Sequence, residues 1–236
     1  EEDVTGAATR PDLIGDDCEG TWIMKDLEEG DIFFSINDIK PGDSGENTIS
    51  MHVFDNDAWG RMVIDNVTSL DVTCNEPESE DVDDPECILP SPTPGAGELQ
   101  ENIQFSIWLD QGVTPGFQEN GEQGEGDNIQ QCSEPQECEE PTLVTSGPLD
   151  PGGETLNIWE GLAPAYAFHE CTGDGSKTSD CPGLTSDGHL VGSITYYFGL
   201  DWEIPDTVGN EVQTDSLSAD ISFEATQYRN NPTQQF

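Results

Sequence analysis

Apolar and polar side chains alternate with a period of two along several stretches of the chain, most plainly near the C-terminus. There Leu217, Ala219, Ile221, Phe223 and Ala225 fall on one face, while Ser218, Asp220, Ser222 and Glu224 fall on the other. A second stripe precedes it. Ile194, Tyr196, Phe198, Leu200, Trp202 and Ile204 alternate with Ser193, Thr195, Tyr197, Gly199, Asp201 and Glu203, and a turn-rich link over residues 205–215 joins the two. Shorter β-branched and aromatic runs at residues 32–37, 47–54, 61–72, 103–109, 143–146 and 155–159 bring the expectation to about eight strands, with no helix of three turns. The fold class expected is therefore all-β, a sandwich of jelly-roll or immunoglobulin-like kind.

Three stretches interrupt this rhythm. Residues 75–101 are rich in Pro, Glu and Asp, 112–141 in Gly, Gln and Glu, and 168–188 in Gly, Ser and Asp, so they read as loops inserted into one domain spanning 21–236. Residues 1–20, broken by Gly6, Pro11 and Gly15, read as an N-terminal arm. The loops hold five of the seven cysteines, and Cys74 immediately precedes the first of them. Nearness in sequence would pair Cys74 with Cys87, Cys132 with Cys138 and Cys171 with Cys181, but six cysteines allow 15 connectivities and sequence does not choose among them. The odd Cys18 would bridge two chains or stay a free thiol. Short-range disulfides of this density point to an oxidising compartment, and a start at Glu1 fits a processed, secreted chain.

Charge changes the picture more than any other property. Against 50 Asp and Glu there are 6 Lys and Arg, a formal net charge of −44. Binding to nucleic acid or to an anionic membrane surface relies on clustered cations, and these six are scattered, so neither partner is expected. No stretch approaches the roughly 20 apolar residues of a membrane-spanning helix. Low hydrophobicity with high net charge is also the signature of disorder, yet 5 Trp, 9 Phe and 4 Tyr on alternating strands argue for a folded core beneath an acidic surface. Such a surface is self-repelling at low salt and screened in brine, which predicts a high-salt setting.

Candidate chemistry is sparse. Gly42-Asp43-Ser44-Gly45 resembles the nucleophile loop of trypsin-like serine proteases, but His52, His169 and His189 lack a matching context, and Pro41-Gly42 reads as a turn between strands. His169-Glu170-Cys171 does not have zinc spacing. Asp55 and Asp57 in one loop, and Asp174 and Asp180 in another, are weak candidates for structural calcium, although neither loop has the twelve-residue calcium pattern with its closing glutamate. Asn66-Val67-Thr68 is an N-glycosylation sequon. No catalytic residue, resident cofactor or enzymatic activity is expected.

Three strings carry a resemblance to a known family. These are Ile36-Asn37-Asp38-Ile39-Lys40-Pro41-Gly42-Asp43-Ser44-Gly45, Cys74-Asn75-Glu76-Pro77-Glu78-Ser79-Glu80, and Leu200-Asp201-Trp202-Glu203-Ile204-Pro205 running on through Val208-Gly209-Asn210-Glu211-Val212-Gln213-Thr214-Asp215-Ser216. Together they resemble the TasA/camelysin family of secreted biofilm-matrix fibre proteins, especially its archaeal members, which include the bundling pilins. The resemblance covers residues 32–70, 103–109 and 149–227. It implies a secreted jelly-roll domain that polymerises head-to-tail by donor-strand complementation, an N-terminal segment of one subunit completing the sheet of the next. In this chain the implied donor is the arm, with Val4, Ala7, Ala8, Leu13 and Ile14 as its apolar side chains. The partner expected is the chain itself, as a homopolymer that bundles laterally once its charge is screened. A metallopeptidase reading attached to the same family finds no zinc motif here. The alternative expectation is a monomeric cell-surface adhesin or carbohydrate-binding sandwich, in which Trp108 or Trp159 stacks on sugar.

Overall fold

The computed structural model describes residues 39–73, 97–118, 124–134, 137–138, 140–231, 233 and 236. They form an all-β fold with two antiparallel sheets. The strands are β1 (Ser44–His52), β2 (Ala58–Asp71), β3 (Gln104–Leu109), β4 (Cys132–Glu134), β5 (Glu137–Cys138), β6 (Thr142–Gly147), β7 (Glu154–Asn157), β8 (Thr195–Glu203) and β9 (Asp215–Gln227). One sheet has the order β1-β8-β3-β6 and the other β7-β2-β9, while β4 and β5 make a two-stranded ribbon.

Register follows from the period-two stripes. Tyr196, Phe198, Leu200 and Trp202 of β8 face inward, and the pairings Ile49↔Phe198 and Phe198↔Leu109 carry the apolar row across β1, β8 and β3. In the second sheet Met62↔Phe223 and Ile64↔Ile221 form the matching rows. The two inner faces meet where the Phe198 and Phe223 rings lie 5.8 Å apart. Each fully buried aromatic of this kind contributes about 1.5–3 kcal/mol of transfer free energy, so the alternation sets the register energetically as well as geometrically.

Two glycines make room for tryptophans across the strands. A Cβ on Gly45 would lie 2.8 Å from Trp202 Nε1, and one on Gly199 would lie 2.1 Å from Trp108. Trp202 therefore packs flat over β1 on the inner face, and Trp108 over β8 on the outer face. Both are buried, as is Trp59, while Trp159 is half-buried. Core packing thus accounts for Trp108 and Trp202, and the sugar-stacking expectation is not met at Trp108.

Strand expectations inside the described residues hold to within a few positions, with one correction at 155–159. The strand β7 ends at Asn157 and the helix α2 (Trp159–Phe168) follows, ten residues and just short of three turns. Leu162 and Ala165 are fully buried on α2, so tertiary burial holds the helix despite Pro164 in its interior. A second helical piece, α1 (Leu99–Asn102), is a single turn. The β4–β5 ribbon sits inside the region expected to be loop, with Cys132 opposite Cys138 in its register. Cys132 is disulfide-bonded, and Cys171–Cys181 forms a disulfide across the 168–188 loop with Cα atoms 5.9 Å apart. The arm, Cys18, Cys74, Cys87 and the expected strand at 32–37 lie outside the described residues.

Candidate functional site

Among the described residues, β1 and β9 are edge strands of their sheets, and residues of both line one groove. β9 pairs with β2 along one edge for most of its length, and no described strand lies against its other edge. Such an edge presents a row of backbone N–H and C=O groups that can template pairing with another chain.

The apolar stripe of β9 is correspondingly under-covered. Leu217, Ile221 and Phe223 are only half-buried, and Ala219 and Ala225 are exposed, although this is the strongest alternating segment in the sequence. Near its C-terminal end a groove of about 480 Å³ opens between the two sheets, lined by Met51, Val53, Phe54, Leu190, Phe223 and Ala225. Phe54 stands 77% exposed at the mouth. The site is a main-chain edge with no partner strand among the described residues, beside an apolar trough, the two elements an extended segment needs for β-augmentation.

A polar network lies beside Asp57, which lines the groove. His189 Nδ1 lies 2.5 Å from Asp187 Oδ1, and the Tyr228 hydroxyl donates to Asp187 Oδ2 at 3.0 Å. The imidazole stacks on Tyr228 at 4.1 Å, and Asp57 accepts the Gly192 N–H at 2.9 Å. Partial burial works to raise the Asp187 carboxyl, but the His189 and Tyr228 hydrogen bonds outweigh it and hold it below its ordinary value. The same bond to Asp187 raises Tyr228. This network is structural in character, because each polar atom named is satisfied by a neighbour that also packs.

The residues singled out for catalysis do not gather. Ser44 opens the nine-residue strand β1 and His52 closes it, so extended backbone holds them roughly 26 Å apart. His52 Nδ1 instead meets Thr195 Oγ1 at 2.8 Å, and His169 Nε2 meets Gln111 at 2.7 Å. Lys40, Pro41, Gly42 and Asp43 form the expected turn, with Asp43 N donating to Lys40 O and Gly42 N to Ile204 O.

The calcium candidates Asp55, Asp57, Asp174 and Asp180 lie in loops, where the carboxylates of the last three have local roles. Among the described residues no three His, Cys, Asp or Glu side chains assemble as a metal site. Asp180 accepts from Thr172 N, Thr172 Oγ1 and Gly173 N, and Asp174 from Ser176 N, so both carboxylates cap their own loop. Asp55 adopts φ +55° in the turn before β2, and Asp57 holds the Gly192 segment.

Two acids that sequence reasoning missed are completely buried. Asp110 accepts from Thr48 Oγ1, Gly126 N and Asn128 N, and Glu140 from Gly112 N and Gln131 N. They pin residues 110–118 and 124–131 over the outer face of the first sheet, where Gly126 packs on Tyr197. Burial raises both carboxyls, Glu140 to about 8. Nothing in the local sequence marks these two among 50 acidic residues, since their burial comes from long-range packing.

The donor candidates Val4, Ala7, Ala8, Leu13 and Ile14 lie outside the described residues. No protein-family model matches the chain, and no curated protein matches it either. Among the described residues no helix is long and apolar enough to cross a membrane.

Proposed function

We propose that the chain is a structural, non-enzymatic subunit of an extracellular filament, built by donor-strand complementation in a high-salt setting. The observation that carries this reading is the half-covered apolar stripe of β9 beside a strand edge that no described strand pairs with, and an open groove. An extended segment from a neighbouring copy, laid against β9, would convert the three-stranded sheet into a four-stranded one and give the eight-stranded, jelly-roll-like sandwich that the sequence resemblance implies. The donor favoured is the arm of the next subunit, through Val4, Ala7, Ala8, Leu13 and Ile14. Such a contact is heterologous, so it does not close and propagates as a fibre. The disulfide Cys171–Cys181 supports an oxidising, extracellular location.

Negative-stain microscopy of the native material tests the filament directly. Deleting residues 1–14 tests the donor: a soluble monomer is expected, and fibres of ordinary yield and width from that truncation would refute donation by the arm. The monomeric adhesin reading predicts sedimentation as a single subunit at every concentration, whereas a filament subunit elongates.

A further inference from the structure

The sequon Asn66-Val67-Thr68 occupies an irregularity in the register of β2 with β9. Along β2 the register with β9 runs Asp65↔Asp220 and then Thr68↔Ser218, so β2 carries one residue more than its partner and bulges. Asn66 sits in that bulge at φ +52°, in the left-handed region that asparagine tolerates better than other side chains. It is exposed, and so is Thr68. On its other side β2 pairs with β7 only from Arg61 to Ile64, so among the described residues no strand flanks Asn66 there.

The sequon's polar groups are gathered in one local turn. Thr68 Oγ1 donates to the Asn66 carbonyl at 3.3 Å, and Asn66 Nδ2 donates to Asp220 Oδ2 at 2.8 Å. Asp65, Asp220 and Ser222 alternate with the inward-facing Ile64, Ile221 and Phe223, which places the Asn66 amide on the outer face of the sheet, away from the groove.

We propose that Asn66 is a covalent N-glycan acceptor, and that the bulge presents its amide to a glycosyl donor of the lipid-linked oligosaccharyl phosphate class. In that transfer a bond forms between Nδ2 and the anomeric carbon, the anomeric carbon–phosphate oxygen bond breaks, the amide gives up one proton and the lipid phosphate leaves with it. The primary amide has two N–H groups and loses one. The remaining N–H keeps the hydrogen bond to Asp220, so attachment does not disturb the sheet. A hydrated sugar at this position coats the outer face of each subunit while leaving the β9 edge open. The proposal rests on the exported-subunit reading above, because the glycosyl donor meets only chains that leave the cell.

The test is intact mass spectrometry, under denaturing conditions, of protein purified from its native cells, with peptide mapping across residues 61–72. The wild-type chain should exceed its polypeptide mass by a series of sugar increments located on Asn66. Asn66→Gln and Thr68→Ala should fall to the bare polypeptide mass, and Thr68→Ser should keep the increment. A wild-type chain at bare mass, or an Asn66→Gln chain that retains the added mass, overturns the proposal. Mapping of the wild type alone decides the matter if a variant fails to fold. Microscopy of the same samples separates the two readings: unglycosylated fibres refute the glycan and leave the filament standing, and a glycosylated chain that stays monomeric does the reverse.

Discussion

Tyr196 shows how one hydroxyl fixes two loops. Its ring is fully buried against Phe117, while its OH accepts the Val191 N–H at 2.7 Å and donates to Gly183 O at 3.0 Å. Tyr196→Phe keeps the ring but strands a buried donor and acceptor, so a loss of about 1–3 kcal/mol is expected in denaturant unfolding. Glu140 sets a pH dependence. Its carboxyl titrates near 4.5 when unfolded and is pushed up to about 8 in the fold by burial, with Asp110 and Asp127 adding repulsion. A raised folded pKa means the folded state holds the proton more tightly, so the stabilisation is complete below 4.5 and is lost as pH rises through 8. Melting temperature should therefore fall across that window. Glu140→Gln should flatten the slope while costing about 1–3 kcal/mol at acid pH, because its amide NH₂ cannot accept one of the two backbone N–H groups. An unchanged slope in that variant would separate the pH dependence from Glu140.

At the scale of elements, β9 is where assembly can be tested without damaging the core. Ala225 is exposed and lines the groove opposite no bulky neighbour in its own sheet, since its β2 partner is Gly60. Ala225→Lys should leave the subunit folded, with unchanged circular dichroism, yet abolish fibres in sedimentation and microscopy; normal fibres from it would place assembly elsewhere. The strands themselves were legible in sequence, because period-two alternation is a local signal that survives in β1, β2, β3, β6, β8 and β9. The helix α2 was not: Pro164 argues against a helix on local grounds, and only the burial of Leu162 and Ala165 by distant elements overrides it. The groove was half legible. Its apolar stripe could be read directly, but an alternating strand looks the same in sequence whether its inner face is covered or waiting for cover. The Asp110 and Glu140 pins left no trace, since burial distinguishes them and burial is not local.

For the whole molecule the controlling quantity is the net charge of −44. Few cations offset it locally: Lys40 meets Asp43 at 2.9 Å, and Arg61 lies over the Phe236 ring and bonds Glu224 at 2.7 Å. Screening falls to the solvent, with a Debye length of roughly 30 Å at 0.01 M salt and 3 Å at 1 M. Melting temperature should rise steeply between those conditions, and fibre yield with it, because every added subunit brings the same charge to its neighbours. A melting temperature indifferent to salt would remove the brine adaptation from the account. The open edge of β9 has a mechanical consequence as well. Ladder hydrogen bonds in an antiparallel pair run perpendicular to the strands, so a neighbour's segment held along β9 and pulled along its own axis strains all of them together in shear. Tension on such a chain of subunits would be borne by the full length of each joint at once, whereas a sideways peel would open the joint one bond at a time.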